Sequence, residues 1–122
     1  MPFRVLVVDD EKDICEVVKT ALENEGYEVE TSFGGAEAIQ CLEKGDHQIL
    51  MVDARLEGRV SGIDVIRFCK DIVKKPRIFI ISATIKEVLH SVLKREGLTD
   101  LVEGILEKPA DLRPDVIAER IQ

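Results

Sequence analysis

The sequence predicts a doubly wound α/β fold, with five strands in one parallel sheet of order 2-1-3-4-5 and five helices covering both faces. Three observations predict it. Short apolar runs alternate with segments of helical spacing; three of the runs are continuous and two are weaker; acidic and polar residues gather where several runs end. Parallel strands need a crossover between them, usually a helix, and helices on both faces leave the central strands apolar throughout.

The elements follow in order. Phe3–Val8 is an apolar run suited to a central strand, and it stops at Asp9–Asp10. Ile14, Val17, Val18, Ala21 and Leu22 then recur at i, i+3, i+4, i+7 and i+8, a helical face ended by Gly26. Tyr27–Thr31 alternates as an edge strand does, and Ala36, Ile39 and Leu42 mark a second helix that stops near Gly45. Ile49–Val52 is the second continuous run. Val65, Ile66, Cys69 and Ile72 form the third helix, halted before Pro76. Ile78–Ile81 is the third continuous run, followed by a helix on Val88, Leu89, Val92 and Leu93 that ends before Gly97. Gly104–Leu106 makes a very short fifth strand, and Leu112, Val116, Ile117 and Ile121 make a short last helix. With continuous runs central and weak runs at the edges, right-handed crossovers yield the order 2-1-3-4-5.

Nothing in the 122 residues marks a boundary. There is no repeat, low-complexity segment or Gly/Ser/Pro linker, so residues 1–122 are expected to form one domain. An apolar share of 45% with 34% charged residues is that of an ordinary soluble globular chain. No apolar run approaches the roughly 20 residues that span a bilayer, and no signal-peptide pattern precedes Phe3. The three cysteines, Cys15, Cys41 and Cys69, are widely spaced and form no C-x-x-C pair. They are expected as reduced packing residues of a cytoplasmic protein, without disulfide or zinc. His47 and His90 are expected at the surface. A net charge of −7 argues against a nucleic-acid-binding face, because phosphate contacts need a basic patch. Protein partners or a cation fit better.

Sheets of this kind bind ligands beyond the carboxyl ends of the strands, where strand order reverses; here that is between strands 1 and 3. Strand 1 is followed by Asp9 and Asp10, strand 3 by Asp53, strand 4 by Ser82 and strand 5 by Lys108–Pro109. Strand 2, away from that point, is followed by the uncharged SFGG. Helix capping is the competing reading for Asp9 and Asp10, and a simple turn for Asp53. Ser82 could be an ordinary strand-end hydroxyl, and Lys108 a solvated lysine. Their coincidence at one end of the sheet favours a site.

Three carboxylates within a few ångströms would raise one another's pKa unless a cation neutralised them. Hard oxygen donors with no His or Cys among them favour Mg2+. A lysine and a hydroxyl opposite would suit phosphoryl oxygens, and a carboxylate can itself be a nucleophile that forms an aspartyl phosphate. The set matches phosphoryl transfer, where catalysis is mostly positioning and charge neutralisation.

The segments VLVVDDE, ILMVDARL, IFIISA and ILEKP resemble, in this order and across essentially the whole chain, the signature segments of response-regulator receiver domains of two-component signalling, the CheY-like superfamily. The resemblance implies a flavodoxin-like (βα)5 sandwich. By position it implies Asp53 as phosphoacceptor, Asp10 as direct Mg2+ ligand and Asp9 as its acidic neighbour, reached through water. The main-chain carbonyl of Arg55 would complete the metal ligands. Ser82 would hold a phosphoryl oxygen beside the Ala83 N–H, Lys108 would pair with the phosphoryl group, and the peptide before Pro109 would often be cis. The family also implies a sensor histidine kinase or histidine phosphotransfer protein as donor, and slow autodephosphorylation without turnover of a separate substrate. A homodimer or an output domain would use the face of helix 4, strand 5 and helix 5, with no direct nucleic-acid or membrane contact.

The chain departs from the family pattern in four places. Glu57 stands where a proline is usual, and EGRVSG is one residue longer before Gly62. GLTDLVEG, residues 97–104, lengthens the span from Ser82 to Lys108 and is expected to form an extra turn that reshapes partner recognition. Ile105 takes the place of the family's switch aromatic, and Ala110 that of the Phe or Tyr often found after Lys-Pro. The altered helix 4–strand 5 region motivates a competing function, a pseudo-receiver acting as a phosphorylation-independent interaction or dimerisation module. The retained acidic site argues against it. A phosphohydrolase with an aspartate nucleophile would show D-x-D after strand 1, and acidic loops would repel a flavin phosphate. No glycine-rich nucleotide loop is present.

Overall fold

Runs of Val, Ile and Leu without polar alternation make strands covered on both faces, and three such runs form the centre of the sheet. The computed structural model describes residues 3–122. Strands β1 (Arg4–Val8), β2 (Glu28–Ser32), β3 (Ile49–Asp53), β4 (Arg77–Ser82) and β5 (Val102–Glu107) pair in parallel in the expected order β2-β1-β3-β4-β5. Helices α1 (Lys12–Asn24), α2 (Gly35–Glu43), α3 (Gly62–Cys69), α4 (Lys86–Glu96) and α5 (Pro114–Arg120) alternate with them.

The two-residue period of the strands divides the core. Leu6, Val8, Leu50, Val52, Ile78 and Ile80 pack against α2, α3 and α4 through Ala38, Leu42, Val65, Ile66, Leu89 and Leu93. Val5, Val7, Ile49, Met51, Phe79 and Ile81 face α1 and α5 through Cys15, Val18, Leu22 and Ile117. Burying each such Leu, Ile or Val side chain contributes about 1.5–3 kcal/mol. With both faces committed, the register of the sheet, and so the height at which each strand ends, has little freedom.

Several expectations are corrected. Val17 and Val88, read as core-facing, are 42% and 50% exposed, and Cys15 takes the inward place on α1. Ala36 is exposed in the first turn of α2, where Ala38 and Leu42 are buried. In each case the spacing fits two adjacent helical faces, and the sheet selects one. Leu112 is buried but precedes α5. Strand β5 is as long as β4. Its first half is hidden in the sequence because it is an edge: Glu103 turns outward to Arg77 of β4 at 2.8 Å, and the pairing is irregular between Ile78 and Phe79.

His47, expected at the surface, is 8% exposed. Its Nε2 lies 2.7 Å from Glu30 Oε1 on the edge strand β2, a contact between residues 17 apart that no local sequence pattern reports. All three cysteines are free; Cys15 and Cys69 are buried and Cys41 is half-buried. Residues 97–104 do form an extra turn. Gly97 ends α4 in the left-handed region (φ 71°), where a residue without Cβ is unstrained. Leu98 is fully buried, Thr99–Leu101 make one 3-10 turn, and the rest enters β5. Ile105 is buried in the α2–α3–α4 face of the core. No helix of the described residues is long and apolar enough to cross a membrane.

Candidate functional site

The strand register brings the predicted residues together. Val8 pairs with Val52, Asp53 with Ile81 and Ser82 with Glu107, so the polar residues at or just after these positions share one end of the sheet. Asp9 is carried there by its N–H, which donates to Ser32 O at 3.1 Å, and Lys108 by its N–H, which donates to Ser82 O at 2.9 Å. Asp9, Asp53 and Ser82 are buried, and Asp10 and Lys108 are half-buried. The Lys108–Pro109 peptide is cis.

Each carboxylate is held by one main-chain N–H. Glu11 N donates to Asp9 Oδ1 at 2.9 Å, Arg55 N to Asp53 Oδ1 at 2.9 Å, and Glu57 N to Asp10 Oδ2 at 3.0 Å. Lys108 Nζ lies 2.7 Å from both Asp53 Oδ2 and Asp9 Oδ2. It donates a hydrogen bond to Asp53. Its contact with the buried Asp9 Oδ2 is an ion pair of the same length. Neither Asp9 nor Asp10 caps α1; Glu11 stands at that position, with no side-chain bond to the helix. Helix capping therefore does not account for the acidic pair.

Burial pushes the Asp9 carboxyl above its usual pKa, and the neighbouring Asp53 charge adds to this, against the Lys108 ammonium and the Glu11 N–H. Burial works against the Lys108 ammonium, but its bonds to Asp53 and Asp9 outweigh this and hold its pKa above the usual lysine value. Three carboxylates face one ammonium, an excess of two negative charges when all are ionised. One oxygen from each of Asp9, Asp10 and Asp53 lies within 4.8 Å of the others. An all-oxygen donor set from three carboxylates, with two negative charges in excess of the one ammonium, fits a divalent hard cation such as Mg2+.

Ser82 Oγ accepts from Thr84 N at 2.9 Å, which orients the side chain and leaves the hydroxyl proton available. Ala83 follows at the surface, and the Arg55 side chain is exposed beside the site. Two contacts escaped the sequence reading: the Lys108–Asp9 pair and the Glu57 N–H on Asp10. The signal for the second was present, because Glu57 stands where the family pattern has a proline, which carries no N–H.

A family model of the response regulator receiver domain matches residues 5–122. The chain belongs to this family. Receiver domains are the signalling modules of two-component response regulators, and several characterised members are close in sequence or shape. The transcriptional regulatory protein TrcR of Mycobacterium tuberculosis is 34% identical over 113 residues, which cover 91% of this chain and 41% of that protein. The chain thus spans about two-fifths of the length of this curated relative. The chemotaxis response regulator CheY4 of Vibrio cholerae has a TM-score of 0.84 at 25% identity, covering 100% of this chain and 98% of that one. The response regulator TrrA of Thermotoga maritima, solved in complex with Mg2+ and BeF, has a TM-score of 0.78 at 27% identity, covering 98% and 96%.

Proposed function

We propose that this receiver domain accepts a phosphoryl group on Asp53 from a phosphohistidine of a sensor histidine kinase or a histidine phosphotransfer protein, and changes conformation in response. The observation that carries this reading is the setting of Asp53: its Oδ1 is fixed by the Arg55 N–H and its Oδ2 by Lys108, beside two further carboxylates. The Asp53 carboxylate attacks phosphorus, the P–N bond breaks, and its electron pair returns to the donor imidazole. The product is an acyl phosphate, a bond that water can later cleave slowly at the same site. Lys108 pairs with the incoming phosphoryl oxygens, and the Ser82 hydroxyl and Ala83 N–H donate to another. Asp9, Asp10, Asp53 and the Arg55 carbonyl would hold Mg2+, which when bound supplies charge neutralisation for the transferring group.

The cytoplasm is the compartment in which such a donor is met. Output, whether to a fused domain, a partner or a second copy, is assigned to the face of α4, β5 and α5. There a cavity of about 280 Å³ is lined by Lys86, His90, Leu93, Thr99, Ile105 and Arg120, among others. The pseudo-receiver reading is disfavoured by the charge excess, which a phosphorylation-independent module has no use for.

The test is incubation with Mg2+ and a small phosphodonor such as acetyl phosphate, followed by intact mass. A gain of one base-labile phosphoryl group is expected for the wild type and none for Asp53→Asn. No gain in the wild type, or an equal gain in the variant, overturns the assignment.

A further inference from the structure

The β3–α3 connection, one residue longer than the family pattern, reaches across the site. It is pinned on both sides of Glu57. Leu56 and Val60 pack against the core, and Ser61 is locked by reciprocal bonds with Asp64 at the start of α3. Between these anchors the Glu57 N–H points at Asp10 Oδ2, 3.0 Å away. The other oxygens of the cluster are occupied differently. Asp9 Oδ1 and Asp53 Oδ1 take main-chain donors, and Asp9 Oδ2 and Asp53 Oδ2 share the Lys108 ammonium. Asp10 Oδ1 has neither among the described residues.

From this geometry we infer that the Glu57 main-chain N–H is a positioning group for the divalent cation: by holding Asp10 Oδ2, it orders the half-exposed carboxylate and leaves Oδ1 free to bind the cation. This rests on the reading of the acidic cluster as a Mg2+ site. Asp10 needs such a hold more than its neighbours do. Asp9 and Asp53 are buried and tied to Lys108, whereas Asp10 is the most exposed of the three and would otherwise sample several rotamers. A carboxylate ordered before the ion arrives loses less conformational entropy on binding. A proline at position 57 could not donate this bond, so the longer loop and the change of residue act together.

The experiment is a Mg2+ titration of wild type, Glu57→Pro and Glu57→Ala, read as backbone amide shifts by NMR. Glu57→Ala keeps the N–H, and its Kd is expected within about twofold of wild type. Glu57→Pro lacks it, and its Kd is expected to rise about tenfold or more, as for loss of one hydrogen bond to a charged group. Equal affinities for wild type and Glu57→Pro overturn the inference, as does an equal loss in Glu57→Ala, which would point to the side chain. Amide exchange in the wild type stands independently of how well the variants fold. The Glu57 amide is expected to stay protected when Mg2+ saturates the site, and loss of that protection overturns the positioning role. A wild type that binds no Mg2+ overturns the cation reading itself, whereas binding that is merely insensitive to position 57 overturns only the role of Glu57.

Discussion

Removing the Lys108 ammonium would leave the buried Asp9 and Asp53 carboxylates side by side with no cation between them. Lys108→Met keeps most of the apolar stem and deletes only the charge. It is expected to lower unfolding free energy by about 2 kcal/mol, the cost of leaving buried charged groups unpartnered. Urea denaturation in EDTA measures this, and adding Mg2+ should recover part of the deficit. Stability equal to wild type in EDTA would mean the ammonium has no such role. At this scale the site was largely legible. Asp9, Asp10, Asp53, Ser82 and Lys108 each break or follow an apolar run, and strand formation itself gives no reason for polar groups there. The sequence showed that position 57 has an N–H where the family pattern has a proline, but that this N–H reaches Asp10 was not legible, because its direction depends on the path of the loop.

Helix α3 follows the loop that carries Glu57, and its first turn sets how firmly that loop is held. Ser61 Oγ accepts from Asp64 N at 3.1 Å, and Asp64 Oδ2 accepts from Ser61 N at 2.9 Å, a reciprocal cap. Ser61→Ala should cost about 1 kcal/mol in denaturant unfolding. The Ser61 N–H, with help from Arg67, holds the Asp64 carboxyl below its usual pKa of 3.8. A depressed carboxylate stabilises the fold at neutral pH, and that contribution is lost as pH falls below the usual value through the lowered one. The stability gap between wild type and Asp64→Asn should therefore be present at pH 7 and close in the acid range. A gap that persists unchanged down to acid unfolding would contradict the assignment. Just inside this helix, a Cβ on Gly62 would overlap the carbonyl oxygen of Asp53, so α3 starts against the end of β3 and helps fix the height of the candidate phosphoacceptor. Periodicity placed all five helices. It misjudged the inward face of α1 and α4, because Val17 and Val88 satisfy the same spacing as the residues that are buried.

The sheet separates two half-cores, with Cys15 in one and Cys69 in the other. Burial pushes both thiols up to about 11, so at pH 8 neither should react with a thiol reagent in the folded protein. Cys41, half-buried, should react first. Because the central strands contribute side chains to both half-cores, the two buried thiols should become reactive at the same urea concentration, as in a cooperative transition. Exposure of one well before the other would show that the two faces unfold separately. The extended 97–104 segment belongs to this scale as well. Leu98 anchors it in the core, and its 3-10 turn ties α4 to the edge strand β5.

The sequence by itself determined the class of fold, the strand order and the identity of the five polar residues at the strand ends. Period and apolar continuity report which elements are covered, and in a doubly wound sheet coverage dictates topology. Only the tertiary structure decided which face of each helix turns inward, that His47 is buried against Glu30, and that Lys108 bridges Asp9 as well as Asp53. It alone decided that the longer loop donates to Asp10. These depend on distances between residues far apart in the chain, and on main-chain groups that every residue but proline shares.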